Sequence, residues 1–139
     1  TEEESRAMWN RLRAELDEKG YGVYAVELKS SGSLIGLLGF HWADFKADFT
    51  PCVEIGWRLV PEAWGHGYAT EGARACLEHG FARLGLDRVY SFTACVNLPS
   101  QAVMQRAGMR KTAEFNHPKV APDSVLYPHV LYVREASHA

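Results

Sequence analysis

A predicted strand, a glycine-containing turn and a predicted helix follow one another without a break, and this succession constrains the fold most. Cys52–Val60 alternates apolar and polar residues, which is typical of a strand with one buried face. The turn over residues 61–67 is too rich in glycine to continue that strand. The next segment carries an apolar stripe at helical spacing, formed by Ala69, Ala73, Cys76, Leu77, Gly80, Phe81 and Leu84. A helix that begins directly after such a turn presents backbone N–H groups without intrahelical partners, which favours an anion there.

The turn itself leaves two interpretations open. In one, Gly65 and Gly67 let a diphosphate approach the backbone closely, because no Cβ intervenes. In the other, both glycines serve only the geometry of a tight connection. The turn is not a Walker loop, since no Lys-Ser/Thr pair follows the last glycine. It also lacks the third glycine of the dinucleotide-binding motif G-x-G-x-x-G.

The rest of the chain predicts a further helix on each side of this unit and five further strands. The first helix covers residues 2–19, with a capping box at its start and Gly20 at its end. Its apolar stripe consists of Met8, Trp9, Leu12 and Leu16. The last helix begins at Asn97 and stops at Gly108. The further strands are Tyr21–Lys29, Leu34–Trp42, Arg88–Val96, Met109–Phe115 and Val125–Arg134. The order α-β-β-β-α-β-α-β-β predicts an α/β fold, in which helices pack on a mixed sheet.

Composition narrows the class of protein. The 139 residues are predicted to form one domain, and the net charge of −2 gives no support to nucleic-acid binding, which requires a basic face. No apolar run reaches the roughly 18 residues that span a bilayer, and no signal-peptide pattern opens the chain. Cys52, Cys76 and Cys95 lie in apolar segments, so we expect reduced thiols in a cytoplasmic protein. The histidines are too scattered in the sequence to predict a metal site.

Residues 53–109 resemble the acetyl-CoA-binding core of the GNAT superfamily of N-acetyltransferases. The diphosphate signature of that family, Gln/Arg-x-x-Gly-x-Gly/Ala, is similar to Trp64-Gly65-His66-Gly67-Tyr68-Ala69, with tryptophan in place of the first residue. The later pattern Asn-x-x-Ser … Gly-Met matches Asn97, Ser100, Gly108 and Met109. The branch that the chain looks most like is the RimJ/RimL type, whose members include acetyltransferases of ribosomal-protein N-termini.

This resemblance implies a GNAT-type sheet, mixed but mostly antiparallel, with a splayed central strand pair and flanking helices. It implies that acetyl-CoA binds in the splay, where the backbone at Trp57, Arg58 and Leu59 would hold the pantetheine arm as a further strand would. Asn97 would direct its amide toward that arm or the thiol, and it is equally an ordinary helix N-cap. The diphosphate would be bound at Trp64, Gly65, His66, Gly67, Tyr68, Ala69 and Thr70.

The resemblance further implies that an amine attacks the thioester directly, which requires a base for the ammonium proton and an acid for the leaving thiolate. Glu54 is the candidate base; it is alternatively a solvent-facing residue or an ion-pair partner of Arg58. Many GNAT members have a tyrosine as the acid at the position of Met104. Ser100 is therefore the candidate acid, or else an ordinary serine in the first turn of its helix.

The acceptor is predicted only as a class, a primary amine on a small molecule or a protein N-terminus. The loops over residues 43–51 and 116–126 are expected to shape its site, with His117 and His129 beside the second loop. Cys95 is expected to be a small buried strand residue and not a nucleophile. Two other functions stay open: a catalytically silent acyl-CoA-binding or sensor domain, and a structural domain without a ligand.

The chain departs from the family at its start. Relatives of full length have a strand and a helix before the helix at residues 2–19, so the domain over residues 1–139 is expected to be N-terminally incomplete. Without that strand, Tyr21–Lys29 would form an exposed edge of the sheet, which attracts another strand. We therefore expect a partner chain at this edge, a homodimer being one form, or low stability in isolation.

Overall fold

The computed structural model describes residues 1–137, and within the first helix it leaves six side chains undescribed. These are Ser5, Met8, Trp9, Leu12, Glu15 and Leu16. The predicted apolar stripe of that helix, Met8, Trp9, Leu12 and Leu16, therefore lies outside the described side chains.

The order of helices and strands is the predicted one. The helices are α1 (Glu2–Lys19), α2 (Tyr68–Ala82) and α3 (Leu98–Arg106), and a 3-10 turn covers Pro61–Ala63. The strands are β1 (Val23–Glu27), β2 (Leu34–Ala43), β3 (Cys52–Leu59), β4 (Arg88–Ala94), β5 (Arg110–Asn116) and β6 (Pro128–Glu135). The last strand begins at Pro128 and not at Val125, because Tyr127 donates its N–H to the Ser124 carbonyl in a turn.

The strands form one sheet in the order β1-β2-β3-β4-β6-β5. Every neighbouring pair is antiparallel except the central pair, β3 and β4, which is parallel. This confirms the mixed, mostly antiparallel sheet. β1 lies at the edge, as predicted, and its register shifts between Val26 and Glu27. Whether another chain pairs with that edge stays a prediction.

The hydrophobic core lies between the sheet and the helices α2 and α3. Phe40 and Ile55 from the sheet meet Leu77 of α2 and Met104 of α3, and all four side chains are almost fully buried. Gly80 brings α2 close to the sheet, since a Cβ there would lie 2.7 Å from the Phe40 ring. This close contact fixes α2, and with it the turn that precedes α2. None of the helices within residues 1–137 is long and apolar enough to cross a membrane.

Candidate functional site

The central strands β3 and β4 pair at one position and then separate. Glu54 lies opposite Tyr90, and the described backbone shows no second paired position between these strands. Where the ladder ends, the buried hydroxyl of Ser91 donates to the carbonyl oxygen of Ile55 at 2.8 Å. Ser91 thereby satisfies an acceptor that the backbone of β4 does not reach. The result is a V-shaped opening along the second half of β3, as the resemblance implied.

The alternation of peptide groups along β3 decides which of them face this opening. The carbonyl oxygens of Ile55 and Leu59 point away from β2, because each accepts a side-chain hydrogen bond from outside the β2–β3 ladder. Peptide groups alternate in direction along a strand, so the N–H and C=O of Trp57 point the same way. The peptide groups of Arg58 face β2 instead, as does the N–H of Val60. Arg58 therefore contributes to the opening through its side chain and not through its backbone.

The turn after β3 is built for backbone exposure. Gly65 and Gly67 both have φ of 79°, in the left-handed region that favours glycine. A Cβ at either position would meet no atom within 4 Å, so the space beside them is open. Gly67 caps α2, whose first hydrogen bond runs from Glu71 N–H to the Gly67 carbonyl at 3.0 Å. The N–H groups of residues 68–70 therefore have no acceptor within the helix, and they lie at its positive end.

A cleft of about 700 Å³ connects the opened strands to this turn. Its volume is in the ordinary range for a small-molecule site. The lining residues are Trp57, Arg58, Leu59, Ala63, Trp64, Gly65, Gly67, Tyr68, Ala69, Thr70, Asn97, Pro99, Ser100, Ala102, Val103 and Arg106. The predicted cofactor residues are thus brought together, apart from His66. That histidine is exposed and stacks on Tyr68 with the ring centroids 5.2 Å apart.

Asn97 and Ser100 lie side by side in the cleft at the start of α3. Asn97 Oδ1 accepts a hydrogen bond from the Ser100 N–H at 3.2 Å, so Asn97 is the helix N-cap. Its amide NH₂ group has no hydrogen-bond partner within the part of the chain that the structure describes, so both predicted functions of Asn97 are compatible. Met104, at the position where the resemblance implied a tyrosine in many members, is 1% exposed and belongs to the core. It therefore supplies neither an acid nor a wall of the cleft.

Glu54 stands apart from the cleft lining. It lies at the apex of the V, beside Tyr90, on the face of β3 opposite to Ile55. Burial raises the pKa of this carboxyl from 4.5 to about 8. Among the described residues no cation lies within ion-pair distance of Glu54, and Arg58 in particular does not. The alternative of an ion pair with Arg58 is therefore wrong, and Glu54 is half-buried and not fully exposed to solvent.

An aromatic–histidine cluster covers the same face of the sheet as Glu54, and the sequence did not reveal it. Its members, all half-buried, are Phe45, Phe49, Tyr90, Phe92, Phe115, His117 and His129. Phe45 and His117 have ring centroids 4.4 Å apart, and His117 and His129 are 4.9 Å apart. The two loops that were predicted to shape the acceptor site therefore meet here. His117 and His129, which were expected beside the second loop, are in contact with each other.

The histidines of the cluster are held neutral. Burial lowers the pKa of His117, and the nearby His129 and Lys119 lower it further. Burial also lowers the pKa of His129, against the opposing effect of its backbone hydrogen bonds. Across residues 1–137 there is no group of three or more His, Cys, Asp or Glu side chains arranged to hold a metal ion.

The cysteines show no sign of nucleophilic chemistry. Burial raises the pKa of the Cys52 and Cys76 thiols to about 11. Cys95 is not the buried strand residue that was expected: β4 ends at Ala94, and Cys95 lies half-buried in the turn that follows. Desolvation and the charge of Glu114, whose Oε1 lies 3.8 Å from the sulfur, raise the pKa of this thiol. All three residues are therefore thiols and not thiolates at neutral pH.

Comparisons with known proteins agree with this geometry. The sequence model of the acetyltransferase (GNAT) domain matches residues 1–110. The uncharacterized N-acetyltransferase YnaD of Bacillus subtilis strain 168 is 35% identical over 115 residues, which are 83% of this chain and 63% of that protein. The chain thus spans less than two thirds of the length of that relative.

Two solved structures share the fold. The acetyltransferase (GNAT family) from Bacillus anthracis superposes with a TM-score of 0.76 at 29% identity, over 97% of this chain and 75% of that one. Mycobacterium smegmatis RimJ in complex with CoA-disulfide gives 0.75 at 25% identity, over 94% of this chain and 60% of that one. With the splayed strands, the glycine turn and the family match together, the chain belongs to the GNAT acetyltransferase family.

Proposed function

We propose that this chain is an acetyl-CoA-dependent N-acetyltransferase that acetylates a primary amine on a small molecule or a protein N-terminus. The observation that carries the proposal is the continuous cleft from the open peptide groups of Trp57 to the unpartnered N–H groups after Gly67. One end offers an extended backbone, and the other offers an anion site. Acetyl-CoA has the matching parts in the same order, an amide-containing arm and a diphosphate.

The residues present fit this cosubstrate in detail. The N–H and C=O of Trp57 are available to the two amides of the pantetheine arm, in the manner of an added strand. The open space beside Gly65 and Gly67 admits a diphosphate to within hydrogen-bond distance of the backbone. The Asn97 amide would donate to the arm near the thioester, and Oδ1 remains engaged in the helix cap.

Acetyl-CoA supplies an acetyl group activated as a thioester, and the amine attacks it directly. Glu54 accepts the ammonium proton on a carboxylate oxygen, and its pKa of about 8 suits proton exchange near neutral pH. Because Glu54 does not line the cleft, we infer that a water molecule carries the proton between the amine and the carboxylate. Ser100, which does line the cleft, donates a hydrogen bond from Oγ to the departing sulfur, and the proton that the nitrogen loses on becoming an amide neutralises the thiolate. No cysteine takes part.

The acceptor enters from the side of the aromatic–histidine cluster. This side adjoins Glu54 through Tyr90, and it contains the meeting point of the loops over residues 43–51 and 116–126. Its rings are half-buried and its histidines are neutral, so it favours an amine attached to an apolar or aromatic group over a strongly anionic one. Exposed ring faces also attract an ammonium group before it loses its proton. A homodimer and a cytoplasmic location remain predictions.

The test has two stages. Calorimetric titration with acetyl-CoA should give saturable binding at one site per chain. Release of free CoA is then measured over a panel of amines that includes aryl-alkyl amines, amino acids, amino sugars and N-terminal peptides. Turnover with at least one amine, confirmed by the mass of the acetylated product, supports the proposal. Binding without turnover would instead indicate a silent acyl-CoA-binding domain, and absence of binding would contradict both functions.

A further inference from the structure

The cleft does not stop at the glycine turn. It continues into a second pocket of about 550 Å³, and the two share Gly67, Thr70 and Arg106. The second pocket lies between α2 and α3, and Arg74 of α2 is part of its lining. A ligand that follows the cleft past the N-terminus of α2 therefore reaches two arginines.

Arg74 is held in a defined orientation. Its Nε donates to the backbone carbonyl oxygen of Arg106 at 2.7 Å, which joins the middle of α2 to the end of α3. This bond uses one edge of the guanidinium group and leaves both terminal nitrogens available to a ligand. A planar guanidinium fixed in this way is suited to bidentate binding of a phosphate.

Neither arginine is neutralised by the protein. Among the ion pairs of residues 1–137, none includes Arg74 or Arg106. Glu71 and Glu78 also line the second pocket, yet both stay beyond 4 Å of the two guanidinium groups. An anion that binds between Arg74 and Arg106 would meet two cations that no ion pair occupies, with Glu71 and Glu78 as the opposing charges.

The glycine turn lacks a cation of its own. No Lys or Arg occurs between Arg58 and Arg74 in the sequence. Trp64 stands at the start of the signature, and its indole N–H is engaged with the Leu59 carbonyl at 2.9 Å. The turn thus binds a phosphate group through peptide N–H groups, and Arg106 and Arg74 supply cations where the cleft continues into the second pocket.

We propose that Arg74 and Arg106 form a second phosphate subsite, which binds the 3′-phosphate of CoA. The inference rests on the proposed function, since it takes CoA as the ligand of the cleft. The diphosphate is served by the N–H groups after Gly67, and the 3′-phosphate on the ribose is the next phosphate along the cosubstrate. The subsite selects CoA over its 3′-dephospho form, and so separates the acetyl donor from the immediate precursor that lacks this phosphate.

The experiment compares two ligands that differ in this one group. Dissociation constants for CoA and for 3′-dephospho-CoA are measured by calorimetry with the wild-type chain, Arg74→Ala and Arg106→Ala. We expect the wild type to prefer CoA at least tenfold. Each substitution should weaken CoA binding about tenfold, the range for a charge-assisted hydrogen bond, and should change 3′-dephospho-CoA binding less than twofold. Arg83→Ala is the matched control, because Arg83 is an exposed arginine at the end of α2 outside both pockets.

The ligand pair separates recognition from structure. If Arg74 only holds α2 against α3, Arg74→Ala should weaken the binding of CoA and of 3′-dephospho-CoA equally. This result would overturn the proposal. Equal wild-type affinity for the two ligands would also overturn it, with the proposed function left standing. Failure of both ligands to bind would instead remove the proposed function. Glu78→Gln gives a test of opposite sign: it should tighten CoA binding a few-fold and leave 3′-dephospho-CoA unchanged.

Discussion

The cofactor cleft lies between β3 and the starts of α2 and α3, whereas the aromatic–histidine cluster covers the other face of the sheet, and the two are built by different means. The cleft takes most of its lining from one stretch, residues 57–70, and one helix start. Its binding groups are mainly peptide N–H and C=O. The cluster takes seven rings from the β2–β3 loop, β4, β5 with its following loop, and β6. Its binding groups are side chains.

This difference separates a site that depends on backbone conformation from a site that depends on side-chain identity. A site made of peptide groups depends on backbone conformation, so it tolerates most side chains but requires glycine at positions such as Gly67. A site made of side chains changes with every substitution, and loops change fastest. Under the proposed function, the donor would be bound by the backbone geometry of a strand, a turn and a helix, whereas the acceptor would be selected by rings, several of which the loops contribute. Glu54 lies between the two sites and should serve both.

The largest effect on turnover is expected at Glu54, between the two sites. Glu54→Gln should lower turnover by roughly 10²-fold at neutral pH, the range for a lost general base, and should leave acetyl-CoA affinity unchanged. Because the pKa of Glu54 is raised to about 8, wild-type turnover should increase as the pH rises through that value and the carboxylate forms. The variant should lack that rise, although higher pH should partly rescue it by supplying neutral amine. Steady-state kinetics between pH 6.5 and 9.5 measure both effects.

Glu27→Gln is the control for this experiment. Glu27 is exposed on the edge strand β1, far along the sheet from the V. Its substitution should change neither turnover nor the pH profile. If Glu54→Gln behaves like Glu27→Gln, the amine loses its proton to solvent or to another group, and Glu54 is not the base.

The next effect tests the backbone-built side. Gly67→Val should weaken acetyl-CoA binding at least tenfold, which is about 1.4 kcal/mol. Valine adds carbon atoms to the space that the diphosphate requires, and φ of 79° strains any residue with a Cβ. Calorimetric titration gives the dissociation constant, and the amine profile of the residual activity should be unaltered.

Gly32→Val is the control that separates backbone strain at positive φ from steric blockage of the diphosphate site. Gly32 has φ of 72° in the β1–β2 turn, and a Cβ there also meets no atom within 4 Å. Both variants should therefore lose a similar free energy of unfolding, about 1–2 kcal/mol. A folded Gly67→Val protein that binds acetyl-CoA as tightly as Gly32→Val does would remove the turn from the site.

The sequence predicts the backbone-built cleft better than it predicts the side-chain-built cluster. The strand, turn and helix of residues 52–82, and the cap at Asn97, were predictable because each depends on local backbone preferences. Ser91 was not, since a serine in a strand gives no signal until its partner Ile55 is known. The cluster was missed for the same reason: its rings are far apart in the sequence and meet only through the sheet. Even the pKa of Glu54 depends on burial by segments that no local pattern specifies.

A smaller effect is expected from substitutions in the aromatic–histidine cluster. Phe49→Ala should raise KM for the amine about three- to tenfold, in line with the roughly 0.5–1.5 kcal/mol of an aromatic contact, with little change in acetyl-CoA affinity. Phe49 contacts Tyr90, Phe92 and Phe115, so its removal opens the cluster beside Glu54. Phe81→Ala, on the helix side of the sheet, is the matched control and should lower stability without changing KM. Equal KM changes in the two variants would place the acceptor elsewhere.

The smallest effect concerns stability and also follows from burial of Glu54. The folded-state pKa of about 8 lies above the ordinary value of 4.5, so between these two pH values the folded chain binds more protons than the unfolded chain. The free energy of unfolding should therefore fall as the pH rises through that window, because ionisation of the buried carboxyl is unfavourable. Glu54→Gln removes this dependence. Its Tm should match that of the wild type near pH 5 and exceed it by a few degrees near pH 9. The lowered pKa values of His117 and His129 affect the free energy of unfolding only below about pH 6.5, and the effect is the same in both proteins. Parallel Tm curves for the two proteins would show that the Glu54 carboxyl has an ordinary pKa. The carboxyl would then be ionised at neutral pH and not buried beside the rings that are proposed to bind the amine.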